Sequence, residues 1–259
     1  EETDTRKMYH YGGGGGSITK DNQDIVQRGT ATPSNGSGTG LVSGTFSNFA
    51  VGNNSNRVLI IASGCYNASP NITGVTFNGS ENFEKITQYK PASNFNHEFW
   101  ILYNPTVTTA DVVITYGSAG GSFQDGAGQT GAICYSFYNV KQSDAFGTPV
   151  EKNSGASATP FIAITPTTAG SMIIDCYFSG AGSPVPNNDE TDGMNIICGG
   201  VDRSMASQYD LNPTIGSVNN MSRTSGNSSY SQIAVEIKAA VDEWKELGTW
   251  PYTKIVNEL

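Results

Sequence analysis

The residues able to do chemistry are few and scattered. The only histidines are His10 and His97. A Ser-His-Asp relay needs an imidazole between nucleophile and carboxylate, so it would have to use one of them. No G-x-S-x-G turn accompanies them, and with it goes the strained elbow that exposes a serine nucleophile. His97 alternates with Phe99 and Ile101 in HEFWILY, the pattern of an ordinary residue near the head of a strand. Asp175 is the one acid inside an apolar run, MIIDCYF. It reads either as a buried acid with a raised pKa or as a carboxylate satisfied by backbone N–H groups. A carboxylate pair for glycoside hydrolysis leaves no local spacing signature, because the fold brings the two acids together.

Other motifs carry a functional and a plain reading side by side. Gly126, Gly128 and Gly131 in GAGQTG match G-x-G-x-x-G, but they precede a strand-like run, whereas dinucleotide binding needs a strand before them and a helix after. The stretch 117–131 is therefore expected to be a loop. Asp189, Glu190 and Asp192 in NNDETDG crowd hard oxygen ligands that suit Ca²⁺, although Glu190 stands where an EF-hand loop needs Asp or Asn. A solvated turn is the other reading, and no further cofactor is expected. Tyr66, Tyr89, Phe95, Tyr103 and Tyr209 lie near expected strand ends or loops, where a flat ring can stack on a sugar. N-x-[ST] sequons stand at Asn35, Asn53, Asn67, Asn71, Asn78, Asn220 and Asn227. They matter where the host glycosylates the chain.

Cys65, Cys134, Cys176 and Cys198 form no C-x-x-C pair, and two histidines are too few for ordinary zinc sites. The first three sit in apolar runs, which favours buried free thiols, with one or two disulfides as the alternative. Net charge is −9 and Lys+Arg number only 14, thinly spread, which argues against a nucleic-acid partner. No apolar run approaches the ~20 residues of a membrane-spanning helix. The first residue is Glu1 rather than Met, read here as a processed product or a fragment.

These groups must be positioned by strands. Charged residues make up only 14%, and Gly, Ser, Thr and Asn fill the difference, a composition of many turns. Period-two alternation runs over 40–50, 57–66, 72–78, 84–89, 97–103, 111–116, 131–140, 160–165, 171–178 and 229–239, with a less regular stretch at 195–200. Turn clusters such as NGSEN, PASN and GSAGG separate them, and no helical pattern intervenes. About ten short strands of this kind predict an all-β, antiparallel β-sandwich of jelly-roll type. RVLIIASGCY and HEFWILY are apolar on both faces, as in a covered central strand. Residues 178–229 are expected to be long loops with one or two short strands.

The expected organisation is an N-terminal Gly-rich arm over 1–29, a sandwich over 30–239 and a tail over 240–259. In the tail, AAVDEWKELG predicts a short helix stopped by Gly248, followed by an extended segment. The glycine run Gly12, Gly13, Gly14, Gly15 and Gly16 would leave the arm free unless clamped. Trp244, Trp250 and Tyr252 in the tail need burial, on the domain itself or on a neighbour.

The ordered strings NRVLIIASGCY, ITGVTFNGSENFEKI, EFWILYNPTVTTADVVITY, GAICYSFYNVKQSDAFGTP, PFIAITPTTAGSMIIDCYFSG and SQIAVEIKAA carry a resemblance. Over about residues 38–239 the chain resembles a β-sandwich module that recurs in phage structural proteins and in large bacterial surface proteins. Segments 74–78 and 104–116 and the closing AVEIK strand are its most specific parts. The resemblance implies a jelly-roll-like architecture and a place on a particle or cell surface, and it carries over no catalytic residue. The functional expectation is a non-enzymatic assembly protein of a virion or extracellular filament, bound to copies of itself or to other subunits through its arms. The alternative is a carbohydrate-binding or host-adhesion module contacting surface glycans.

Overall fold

The computed structural model describes residues 5–11, 16–28, 43–66, 71–91, 95–116, 130–179, 185–186, 191–197, 204–224, 226, 228–240 and 244–251. Among them every regular element is a strand, and every strand pair is antiparallel. β1 (Thr5–Tyr11) stands apart. Then come β2 (Thr19–Arg28), β3 (Ser43–Ala50), β4 (Val58–Tyr66), β5 (Ile72–Phe77), β6 (Glu81–Asn82), β7 (Glu84–Tyr89), β8 (Phe95–Tyr103), β9 (Thr109–Tyr116) and β10 (Thr130–Tyr138). A second series holds β11 (Val150–Ser157), β12 (Phe161–Ile164), β13 (Met172–Ser179), β14 (Val185–Pro186), β15 (Thr191–Ile197), β16 (Ser204–Asp210), β17 (Asn219–Thr224) and β18 (Ser228–Ile237), and β19 (Trp244–Pro251) closes the described chain.

The two series repeat one topology. In the first, β2-β10-β4-β8-β7 form one sheet and β3-β9-β5-β6 the other. The pairs β2–β10, β3–β9, β4–β8 and β5–β6 nest inside one another, which is a long hairpin folded over itself: a jelly roll. The second series gives β11-β18-β13-β16-β15 and β12-β17-β14, the same order strand for strand with a shorter outer sheet. The turn after β8 reads Asn104-Pro105-Thr106-Val107 and the turn after β16 reads Asn212-Pro213-Thr214-Ile215. In both the proline is buried and the apolar fourth residue exposed, Val107 at 43% and Ile215 at 38%. The single sandwich expected over 30–239 is thus two jelly rolls in tandem.

The five-stranded sheets pack face to face, so the body has four layers. β4 meets β13, β10 meets β16 and β8 meets β18, contacts that exchange into one another when the halves are swapped. Such an exchange marks an approximate twofold arrangement. Period-two patterning supplies the interface: Ile60, Phe99, Ile101, Ile133 and Phe137 of the first half face Ile174, Phe178, Tyr209, Ile233 and Val235 of the second, all fully buried. The opposite face of β4, β8 and β10 presents Leu59, Ile61, Trp100 and Cys134 to Phe46, Phe77, Val112 and Ile114 of the outer sheet. β8 and β13 are therefore covered on both faces, as the unbroken apolar run of HEFWILY requires. The β5–β6 hairpin turns through Asn78 and Gly79 at φ 51° and 72°, the signs a type I′ turn demands.

Several expectations give way. Within the arm, Thr19–Arg28 pairs antiparallel along β10 and forms the edge of the first inner sheet, because the β10 edge opposite β4 takes up its backbone groups. The short helix in AAVDEWKELG does not form; Trp244–Pro251 is a strand paired with Thr5–Tyr11. The stretch 178–229, expected as loops, holds β14 to β17, whose polar sequences hide their period. Cys134 and Cys176 are buried thiols, while the side chains of Cys65 and Cys198 lie outside the described residues.

The interface between the halves sets the stability. Phe99→Ala removes a ring from the middle of it and is expected to cost about 3–5 kcal/mol in urea unfolding. A loss near zero would show that the halves do not unfold as one.

Candidate functional site

Asp175 is fully buried in β13 and faces the second outer sheet, its neighbours Ile174 and Cys176 facing the interface between the halves. Its Oδ2 accepts from Gln232 Nε2 at 2.7 Å and from the guanidinium of Arg223, and its Oδ1 accepts from the Gln208 N–H at 3.0 Å. Arg223, 1% exposed, lies over the Tyr177 ring at 4.5 Å, and Tyr177 stacks on Tyr230 at 5.6 Å. Burial pushes the Asp175 carboxyl up, while Arg223, Gln232 and the Gln208 N–H pull it back. Of the two sequence readings, the backbone N–H accounts for one bond and side chains for the rest. Counting back from the two Asn-Pro-Thr turns through the strand registers, Asp175 takes the place that Ile61 holds in the first half. The network seals a thin layer and is closed to any substrate.

His97 is also fully buried, between the halves, with Ser231 Oγ 2.9 Å from Nε2 and Cys176 Sγ 3.5 Å from Nδ1. Ser, His and Cys meet here, but on the dry side of both sheets. All three are buried, and among the described residues no carboxylate joins them as a relay would require.

A polar cluster reaches the surface where β7 borders β8. Glu98, 2% exposed, accepts from the Ile72 N–H, Gln88 Nε2 and Asn96 Nδ2 at 3.1 Å each, and from Trp100 Nε1 and Lys85 Nζ at 3.0 Å. Lys85 Nζ sits 5.0 Å over the Trp100 ring. Gln88 Nε2 also reaches Asn71 Oδ1 at 3.2 Å, and the exposed Lys90 caps the same oxygen. Buried Glu98 thus orients a row of amide and ammonium groups along an edge strand. Tyr89, on the opposite face of the same strand, is half-buried with one ring face stacked on His97 at 6.3 Å. Sequence reasoning missed Glu98; its signal was its position inside HEFWILY, a run already read as covered on both faces.

A groove of about 760 Å³ opens between β11, β12 and β18, lined among others by Phe146, Val150, Thr167, Glu236 and Lys238. Glu236 is spent there, accepting the Thr167 and Thr168 N–H groups at 3.0 and 2.8 Å and Thr167 Oγ1 at 3.1 Å. Burial alone would raise its carboxyl; these donors outweigh burial and hold it below the usual range.

The aromatic candidates separate. Phe95 packs on Phe178 at 5.9 Å and Tyr209 sets its edge against Tyr135 and Phe137, so both are core residues and not sugar platforms. Tyr103 is half-buried, its hydroxyl accepting from the Ala145 N–H. The side chain of Tyr66 lies outside the description, as do Asp189, Glu190, the side chain of Asp192, Gly126 and Gly128; Gly131 falls in β10. Among the described residues no three His, Cys, Asp or Glu side chains gather to hold a metal. Asn53, Asn71, Asn78 and Asn220 are exposed, and Asn35, Asn67 and Asn227 lie outside the described residues. Gly12 to Gly15, Tyr252 and the side chains of His10, Trp244 and Trp250 lie outside as well.

Comparison with protein-family models, with curated proteins and with solved structures finds no match in any of the three. The chemistry must be read from the geometry alone.

Arg223→Met strands the Asp175 carboxylate and is expected to cost about 3–5 kcal/mol, whereas adding Asp175→Leu should restore most of that loss. Chemical denaturation of the two singles and the double measures the coupling; additive losses would mean that the pair does not act as a unit.

Proposed function

We propose that this chain is a non-enzymatic structural subunit of an exterior assembly, on a virion or an extracellular filament, that joins copies of itself or other subunits through its terminal strands. One observation carries the reading: β1 and β19 pair with each other in a two-stranded ribbon that shares no sheet with the four-layer body. A two-stranded ribbon is marginal alone in water, so it calls for further pairing or burial. Among the described strands neither outer edge of the ribbon is paired, and open edges are the means by which one subunit adds a strand to another. The likeness of residues 38–239 to modules of phage structural and bacterial surface proteins points the same way, as does the low density of basic charge.

The ribbon springs from one point on the body. Asn139, at φ 61°, donates its Nδ2 to Ser17 O at 3.3 Å and accepts the Ala240 N–H at 2.8 Å. The strand entering the body and the strand leaving it are therefore neighbours, with the glycine run 12–16 between β1 and the body.

Deleting residues 1–16 together with 241–259 is expected to leave a folded monomer, while the full chain forms oligomers or filaments. Light scattering after size exclusion, with electron microscopy of the full chain, checks this. An oligomer that survives the deletion would sink the proposal.

The β7–β8 cluster favours a second reading, a glycan-binding module, since ordered amide and ammonium groups along an edge strand suit sugar hydroxyls. Binding would be roughly micromolar to millimolar. Gln88→Ala with Lys90→Ala should weaken it at least tenfold on a glycan array, as about 1.4 kcal/mol of lost contact implies. An array without hits for the intact chain would end this reading.

A further inference from the structure

His97 belongs to β8 of the first half, yet both of its ring nitrogens reach the second: Ser231 Oγ of β18 at 2.9 Å and Cys176 Sγ of β13 at 3.5 Å. The site is shaped around the ring. Gly64 of β4 lies opposite it, and a Cβ at that position would stand 3.5 Å from Nδ1 and 3.1 Å from Phe178. Tyr89 of β7 stacks on the ring, and Met205 of β16 closes the same layer.

Among the described residues, the titratable groups facing the imidazole are the Cys176 thiol and the Tyr89 phenol. Burial, and beyond it Glu151 of β11, raises the phenol further. The carboxylates next to it in sequence point away. Glu98 turns to Trp100 on the other face of β8, and Asp175 turns to Arg223 on the other face of β13. Among the described side chains an imidazolium here would find two neutral partners, no counter-charge and no solvent.

We propose that His97 is an acid-release latch between the two jelly rolls, closed at neutral pH and opening along the contact between the inner sheets as the pH becomes mildly acidic. Burial lowers the imidazole from its ordinary value of 6.5 to about 3 in the closed state. The open state binds a proton below 6.5 that the closed state refuses until about 3, so stability is full above 6.5 and is lost as pH falls. The opening constant then rises by up to about tenfold per pH unit. Ordinary carboxylates titrate near pH 4 and Glu236 lower still, but burial raises Asp175, so between 6.5 and about 5 it is the comparison with a His97 variant that assigns the effect to the histidine.

The two described thiols make the test. Cys176 lies between the halves, and Cys134 lies between the first inner and outer sheets. Alkylation of the full chain, read by peptide mass spectrometry as the ratio of Cys176 to Cys134, cancels the pH dependence of thiol reactivity. The ratio should climb from pH ~7.5 to ~5 in the wild type and stay flat in His97→Phe, with His97→Gln as the polar substitute should Phe not be accommodated. Parallel profiles in wild type and variants would overturn the latch. So would a His97 NMR signal titrating near 6.5 in the folded wild type, where His10 gives the only other histidine signal.

Discussion

The burial of one five-stranded sheet against the other is the constraint that organises this molecule. Each jelly roll, taken alone, would leave a whole face of Ile, Phe, Val and Tyr in water, far more than a single scattered apolar residue. The two faces satisfy each other. Sealing them makes β4, β8, β10, β13 and β18 central on both sides, and it forces polar residues on those strands to find partners inside the protein. His97, Ser231 and Cys176 lie on that shared face; Glu98 and Asp175 lie on the reverse of the same strands.

The halves answer the demand differently. The first has an outer sheet of four strands and an apolar second core built on Phe46, Phe77, Trp100 and Ile114. The second has a four-residue β12 and a two-residue β14, too little sheet to cover an apolar layer of equal size. Where Ile61 fills the first core, Asp175 meets Arg223 and Gln232 in the second. An ion pair so buried offers modest net stability, because desolvation offsets much of its attraction. Its demand for geometry is strict, and it holds β13, β17 and β18 in one register.

The sequence made the covered strands legible and left the thin ones dark. Alternation was plain in 57–66, 97–103, 131–140, 171–178 and 229–239, because each buries a full apolar face, and these became β4, β8, β10, β13 and β18. β11 (VEKNSGAS) and β17 (NNMSRT) are mostly polar, with Val150 and Met221 as their main apolar residues, so period two had too few hydrophobic residues to mark it. β2 reads as an arm because its strand character comes from pairing with β10, which no local pattern reveals. The topological repeat is faint in the sequence: its clearest trace is Asn-Pro-Thr-Val against Asn-Pro-Thr-Ile, a shared turn between strands that differ. At the candidate sites, Asp175 stood out by composition, but Arg223 and Gln232 lie 48 and 57 residues away and meet it only through the fold.

The repeated topology also bears on where the two ends of the body lie. In a jelly roll the first and last strands pair, so each half begins and ends on the same side, as β2 with β10 and β11 with β18 show. Joining two such halves face to face brings the start of the first beside the end of the second. The bridges from Asn139 to Ser17 and Ala240, with Val140 paired to Ala239, fix that junction. Both strands leaving the body start from one place and run antiparallel for the length of β1, so they pair with each other before any neighbour is met. On the proposed reading, an assembly built on this chain would exchange a preformed two-stranded ribbon and not a loose arm. That lowers the ordering entropy spent at each new contact, because one strand of the pair is already held in register.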